Sequence, residues 1–471
     1  MQQLSNLDAS FLSLESSRSP MHIGCILTFE APATGEMTFE RFSRHIESRL
    51  PSSPIFRRRL SRIPLDLDLP YWVEDKHFKL ANHLRYVQLP SKNTAGHLET
   101  LVNHFFSQPL DASLPLWQIM FVEHADSSRF TALLKFHHAA VDGVSGEKIL
   151  SGLLSPSAES THPLQDNWQA EYPSVTLMLS NRLRSLSNSP KALAGFALRI
   201  TESFKRSYSL RQRDQQQQPP SFFNSPSTPF NGLVEPTRQI RSARLPMAKL
   251  VAIKKACPGS TLNDVVLTVC SGALRQHLMQ LGQLPSTPLV AMVPVSKRNG
   301  TESHQGNMIS AMLVSLATQV DTPLERFHAV QQNALKAKEY NREIAMEKVI
   351  AGLPSWSSSW VIKAYTRLRL ARILKPVFNL IITNVPGSRT PLYFDGAPLV
   401  GMEGMAPIVD GMGLTLVVTS YMDTLNIAVT STETTAKAMP DLIRAMDQAL
   451  EELYDSVMFT QVTNDKMAAC A

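Results

Sequence analysis

Cysteine is scarce in this sequence, with four in 471 residues, at positions 25, 257, 270 and 470. Those spacings fit neither a disulfide framework nor a zinc site, so the reading is reduced thiols in a cytoplasm and no bound metal. Charge is also thin: Asp, Glu, Lys and Arg make up 18% of the chain, and the net charge is +6. No nucleic-acid-binding motif accompanies that modest excess, so no nucleic-acid partner is expected. No apolar run reaches the roughly 18 residues that a membrane-spanning helix needs. The opening stretch MQQLSNLDASFLSLESS lacks a basic segment followed by an apolar core, so no secretory leader is expected. A P-loop, a G-x-G-x-x-G turn and a G-x-S-x-G elbow are all missing, and Gly143-Val144-Ser145-Gly146 has the wrong spacing for the last. Nucleotide-binding enzymes and serine hydrolases are thereby disfavoured.

What is present describes a globular protein, with 43% apolar residues. The length suggests two domains of about 200 residues and a connector. Residues 1–160 and 231–471 mix strand-like and helix-like segments, the pattern of an α/β or α+β fold. Residues 161–230 are rich in Ser, Asn, Gln and Pro, and Gln215 to Gln218 with Pro219-Pro220 form a low-complexity tract. Phe39, Phe42, Ile46 and Leu50 recur at helical spacing over 38–50. Phe130, Ala132, Leu134 and Phe136 alternate as in a strand that runs directly into His137 and His138. Ser145 offers an N-cap for a helix starting near Gly146. Further strands are expected at 289–295, 378–383, 414–421 and 424–431, the last two joined at Met422-Asp423, and an amphipathic helix at 441–453.

The chemistry concentrates in His137-His138-Ala139-Ala140-Val141-Asp142-Gly143. Acyl transfer from a thioester to an alcohol needs a base that takes the hydroxyl proton as attack begins. Histidine suits that task because its ordinary pKa of about 6.5 leaves it largely neutral at pH 7. A strand end holds the backbone rigid, and Asp142 followed by the flexible Gly143 can brace the loop. Asp142 near a helix start also complements the helix dipole, so its expected role is structural. No nucleophilic Ser or Cys is required, because a thioester is already activated.

The ordered set of motifs resembles the bacterial wax ester synthase/diacylglycerol acyltransferase family, within the CoA-dependent acyltransferases of chloramphenicol acetyltransferase type. The set comprises the histidine motif, Pro115-Leu116-Trp117, Asn263-Asp264, and Asn384-Val385-Pro386-Gly387-Ser388, where Ser388 replaces the family's usual proline. Leu7-Asp8-Ala9-Ser10-Phe11 and Met21-His22-Ile23-Gly24 are similar too. The resemblance implies two chloramphenicol-acetyltransferase-like domains, each a mixed sheet with packed helices, with a tunnel between them. It implies acyl-CoA as co-substrate with no tightly bound cofactor, and a fatty alcohol or diacylglycerol as acceptor. His138 would be the base and His137 a support, with no covalent intermediate. Asn263 and Asp264 either shape the site or cap a helix, and Trp117 is expected in the core. Readings from other classes are a lipase or esterase, and a non-catalytic lipid-binding module with this fold.

The connector is strongly basic. Between Ser174 and Arg213 eight Lys and Arg residues face one acid, Glu202. Leu193, Phe196, Ile200 and Phe204 follow helical spacing within it. Such a segment can lie in an anionic lipid surface. Residues 177–208 are thus expected to dock on a membrane or lipid droplet, making this a cytoplasmic protein peripherally associated with the inner membrane face or lipid inclusions.

Overall fold

In the computed structural model, residues 1–33, 35–62, 69–126, 128–141, 143–159, 164–166, 168, 225–296, 309–344, 365–436 and 438–470 are described. The expected docking segment 177–208 and Asp142 lie outside the described residues.

Among the described residues the architecture is mixed α/β, with two six-stranded sheets and a three-stranded one. The first large sheet is built on β2 (His22–Glu30), β5 (Leu84–Gln88), β6 (Trp117–Glu123) and β7 (Arg129–His137). Strand β7 is buried from Phe130 onward because both of its faces are covered. Phe130, Ala132, Leu134 and Phe136 enter one apolar cluster, under α2 (Phe39–Arg49), while Leu133 on the opposite face enters another, under α3 (Thr94–Ser107). Helix α2 starts where Thr38 caps it, its side chain accepting from the Arg41 N–H. Its apolar stripe buries Phe42 and Ile46, and each such side chain contributes about 1.5–3 kcal/mol.

The second large sheet holds β8 (Gln239–Pro246), β9 (Val290–Ser296), β10 (Ile309–Ser315), β11 (Leu380–Val385), β14 (Leu414–Tyr421) and β15 (Thr424–Ser431), in the order β10-β9-β11-β14-β15-β8. Its core is filled by α5 (Met247–Ala256), α6 (Leu262–Gln280), α7 (Pro323–Ile344) and α9 (Met439–Cys470). Strands β14 and β15 pair in register across Met422-Asp423, with Met422 in the left-handed region.

Two features depart from the local sequence pattern. Helix α4 runs Gly143–Leu153, so Ser145 lies inside it and is not its N-cap. The simple split at residue 231 also misses a crossover. After β11 the chain passes to the first sheet, where β12 (Tyr393–Phe394) pairs with β13 (Ala397–Met405), and β13 lies antiparallel to β2. Side chains stitch the sheets at this point: Thr419 Oγ1 and Asn426 Nδ2 both donate to the Met402 carbonyl, at 3.0 and 2.9 Å. The crossover makes the halves one interlocked unit, whose seam passes close to strand β2 and hence to its partner β7.

Candidate active site

Strand β7 delivers the histidine pair into a turn clamped from two sides. The His137 N–H donates to the Leu116 carbonyl at 3.0 Å, and the His138 N–H to the Met21 carbonyl at 2.8 Å. The turn closes on itself through the Ala140 N–H to the His137 carbonyl at 2.9 Å. Thus two stretches distant in sequence, Pro115-Leu116-Trp117 and Met21-His22, fix the backbone of one dipeptide. Leu116 also packs against Ala139.

The two imidazoles have different surroundings. His137 is 1% exposed, and the Ala139 N–H donates to its Nδ1 at 3.0 Å. A backbone N–H can only donate, so Nδ1 is the acceptor and the neutral ring carries its proton on Nε2. That nitrogen lies 3.5 Å from Glu15 Oε1. His138 is half-buried. Its ring stacks on Phe11, with centroids 3.8 Å apart and planes 15° from parallel. Its Nδ1 is enclosed without a hydrogen-bond partner. Burial, partly opposed by the residue's own backbone and reinforced by His137, brings its pKa down to about 4. Burial leaves an imidazolium poorly solvated there, so the neutral ring is favoured and its lone pair stays free for a proton.

Helix α1 (Asn6–Leu14) places both Phe11 and Glu15. It begins where Ser5 caps it, accepting from the Asp8 N–H at 3.1 Å, while the Ser5 hydroxyl donates to Asp8 Oδ2. The opening Leu7-Asp8-Ala9-Ser10-Phe11 is therefore the first turns of a helix capped by Ser5, ending on a ring stacked against His138. Sequence reasoning gave Phe11 and Glu15 no role, and nothing in helical periodicity signals an aromatic stack on a residue far along the chain. His22 and Lys135 were missed as well. His22 lies opposite His137 in the β2–β7 register, and its pKa is lowered by burial, then by Lys135, His137 and Arg238. The signal for Lys135 was a cation set between Leu134 and Phe136, well inside a strand whose other Lys or Arg residue, Arg129, stands at its exposed start.

The remaining expected site residues are scaffolding or lie apart. Pro115 is buried. Trp117 is a core residue: it stacks on His83 at 4.3 Å and donates its Nε1–H to the Phe56 carbonyl at 2.9 Å. In the second half, Thr261 is the N-cap of α6, and Asp264 completes a capping box by accepting from the Thr261 N–H at 2.7 Å. Asn263 meets Asn384, whose Nδ2 donates to Asn263 Oδ1 at 3.4 Å. Gly387 is required by close approach, because a Cβ there would sit 1.9 Å from the Ser420 carbonyl oxygen. Its N–H donates to Ser420 Oγ, and Pro386 is exposed. Gly143 opens α4. Among the described contacts, none joins Asn263, Asn384 or Gly387 to the histidine pair.

Against this geometry the comparisons with known proteins are specific. The wax ester synthase/diacylglycerol acyltransferase catalytic domain matches residues 4–266, and the C-terminal domain of the same family matches 305–454. A putative diacylglycerol O-acyltransferase of Mycobacterium tuberculosis is 31% identical, over 97% of this chain and 90% of its own. The O-acyltransferase WSD of Acinetobacter baylyi is 29% identical, over 98% of each chain. The solved wax ester synthase/diacylglycerol acyltransferase of Marinobacter aquaeolei superposes with a TM-score of 0.68 at 26% identity, covering 97% of this chain and 99% of that one. A starter condensation domain of rhizomide synthetase, at 13% identity and a TM-score of 0.56, shares the fold alone. The chain belongs to the wax ester synthase/diacylglycerol acyltransferase family and is an acyltransferase.

Proposed function

We propose that the protein transfers a fatty acyl group from acyl-CoA to the hydroxyl of a long-chain alcohol or a diacylglycerol, with His138 as general base. The observation that carries this reading is the His138 ring itself: backbone clamped at the Met21 carbonyl, face covered by Phe11, and pKa lowered to about 4 by burial. With Nδ1 enclosed, Nε2 is the nitrogen that receives the acceptor's proton as its oxygen attacks the thioester carbonyl. The tetrahedral intermediate then collapses, the carbon–sulfur bond breaks, and the proton passes to the departing thiolate. His137, held as its Nε2–H tautomer, supports the turn. Acyl-CoA and acceptor meet in a tunnel between the halves, with Asn263, Asp264 and Asn384 shaping its far wall, and no covalent acyl-enzyme forms. The test is release of free thiol from acyl-CoA by the purified protein, with a panel of alcohols and a diacylglycerol as acceptors. Thiol release that is independent of acceptor, with free fatty acid as product, overturns the transferase reading.

The acceptors live in lipid, and the protein meets them as a peripheral guest. Among the described residues no helix is long and apolar enough to cross a membrane. The charge and apolar spacing of residues 177–208 support docking on an anionic surface. A second segment has the same character: Arg367, Arg369, Arg372 and Lys375 are exposed beside Leu368, Ile373 and Leu374, the last three at 66%, 78% and 46%. Flotation with anionic vesicles, repeated after Arg199, Lys205 and Arg206 are changed to Glu, tests the first segment. Unchanged flotation overturns its role.

A further inference from the structure

Strand β7 has a second face, opposite Phe130, Ala132, Leu134 and Phe136, and its composition is unusual. Thr131, Leu133, Lys135 and His137 point that way by strand alternation. Lys135 is fully buried. Its Nζ donates to the carbonyls of Phe105 at 2.8 Å and Gln108 at 3.0 Å, and lies 4.3 Å from the centroid of the Phe105 ring. Those carbonyls belong to the last turn and C-cap of α3, where orphan acceptors and the helix dipole favour a cation. A buried ammonium is nevertheless costly. Burial brings its pKa down to about 7. A cap alone needs no fully buried charge, because exposed basic residues or glycine usually end helices.

What Lys135 holds is the helix that joins the two halves. Asn103 on α3 accepts from the Ile240 N–H at 2.8 Å and donates to Gln239 Oε1 at 2.8 Å. Ser107 Oγ accepts from the Arg238 N–H at 2.7 Å, and Glu99 pairs with Arg241. Ile240 and Met405, both from beyond residue 231, share an apolar cluster with Phe105, Phe106 and Leu133. Just past α3, the Leu110 N–H donates to His22 Nε2 at 3.3 Å, and His22 sits opposite His137. One buried cation, two residues before the histidine pair, thus fastens the strand that carries them to the helix that grips the edge strand of the other half.

We infer that Lys135 is a positioning residue for acyl transfer: through α3 it sets where the second half, with its wall of the substrate channel, stands relative to the His138 turn. This rests on the reading of His138 as base. Kinetic and exchange measurements on the full chain test it. Lys135→Met keeps an unbranched chain, one atom shorter, and removes the charge. It should lower kcat about 10- to 100-fold, the usual penalty for slight misplacement of reacting groups, with a smaller change in KM for acyl-CoA. Lys135→Arg should recover part of that loss. Hydrogen exchange should quicken in the last turn of α3 and also in β8, around Ile240. If exchange quickens in α3 alone, Lys135 is merely a helix cap and the inference is overturned. Should Lys135→Met fail to fold, Asn103→Ala cuts the same link from the other side of α3 and should lower kcat in the same way. An unchanged kcat in that variant also overturns the inference. In the folded pair, Lys135→Met with Asn103→Ala should cost less than the product of the single effects, because both break one connection. If instead His138→Ala retains turnover while exchange in β8 still responds to Lys135, the base assignment fails and the mechanical link stands.

Discussion

The two halves carry motifs of equal prominence in the sequence, yet the structure uses their polar groups in opposite ways. In the first half the turn's backbone is saturated with hydrogen bonds while the His138 ring is left with a lone pair and a depressed pKa. In the second half the side chains of the motif are themselves committed. The Asp264 carboxylate caps its own helix, Asn384 bonds Asn263, and Gly387 exists so that the Ser420 carbonyl can approach. A proton-transfer group must be positioned by its backbone and neighbours and stay chemically unoccupied. In the proposed reading the second-half groups form a wall, and a wall must be occupied to be rigid.

The largest way to break this contrast is His138→Ala. It should lower turnover by about 10²–10⁴-fold while the melting temperature stays near that of the parent. His137→Ala should cost less activity and more stability, since that ring is buried and accepts the Ala139 N–H. Near-parental thiol release from a folded His138→Ala protein would show that the unoccupied imidazole is not the base.

Acid should also tell the halves apart. His22, His45, His83, His124 and His138 in the first half, and His277 in the second, all have pKa values lowered chiefly by burial. Below the ordinary value of about 6.5 the unfolded chain binds protons that the folded one refuses, so stability falls as pH drops from about 6.5 towards about 4. The loss should concentrate before residue 231. Hydrogen exchange by segment, near neutrality and at about pH 5, checks it, and equal loosening of both halves would contradict the burial argument. Activity per folded molecule should persist below the usual histidine range, because His138 stays neutral there.

Smaller effects are expected in the second half. Gly387→Ala places a methyl against the Ser420 carbonyl and should destabilise by about 1–3 kcal/mol, with a smaller effect on kcat. Asp264→Ala removes half of the capping box and should cost about 0.5–2 kcal/mol in a denaturant titration. A folded Asp264→Ala protein that is catalytically dead would place its carboxylate in the chemistry and erase the contrast. Back in the first half, Trp117→Phe should lower stability by about 1–3 kcal/mol, through an unpaired Phe56 carbonyl and a smaller ring in a fully buried place, and should leave kcat the least changed.

Much of this was legible beforehand because it is encoded at short range. Phe130 to Phe136 alternate and do face one cluster; Phe42 and Ile46 repeat at helical spacing and are buried. Strands β14 and β15 and their two-residue turn fall where the pattern put them. Local signals misled where two readings share one cue: Ser145 is a good capping residue, yet α4 starts at Gly143. Asn263-Asp264 looked like a cap, and the cap is Thr261 with Asp264 three residues on.

By itself, then, the sequence determined periodicities, the strand-to-turn setting of the histidine pair and the chemistry that pair supports, all properties of a few adjacent residues. The tertiary structure alone decided which nitrogen of His137 carries the proton, that Phe11 stacks on the His138 ring, and that Lys135 ties β7 to α3. It also decided that β13 leaves its own half to pair with β2. The reason is physical: alternation tells a strand to bury one face but is the same for either sheet, and a stack, a tautomer or a buried ammonium depends on partners that only long-range packing brings within reach.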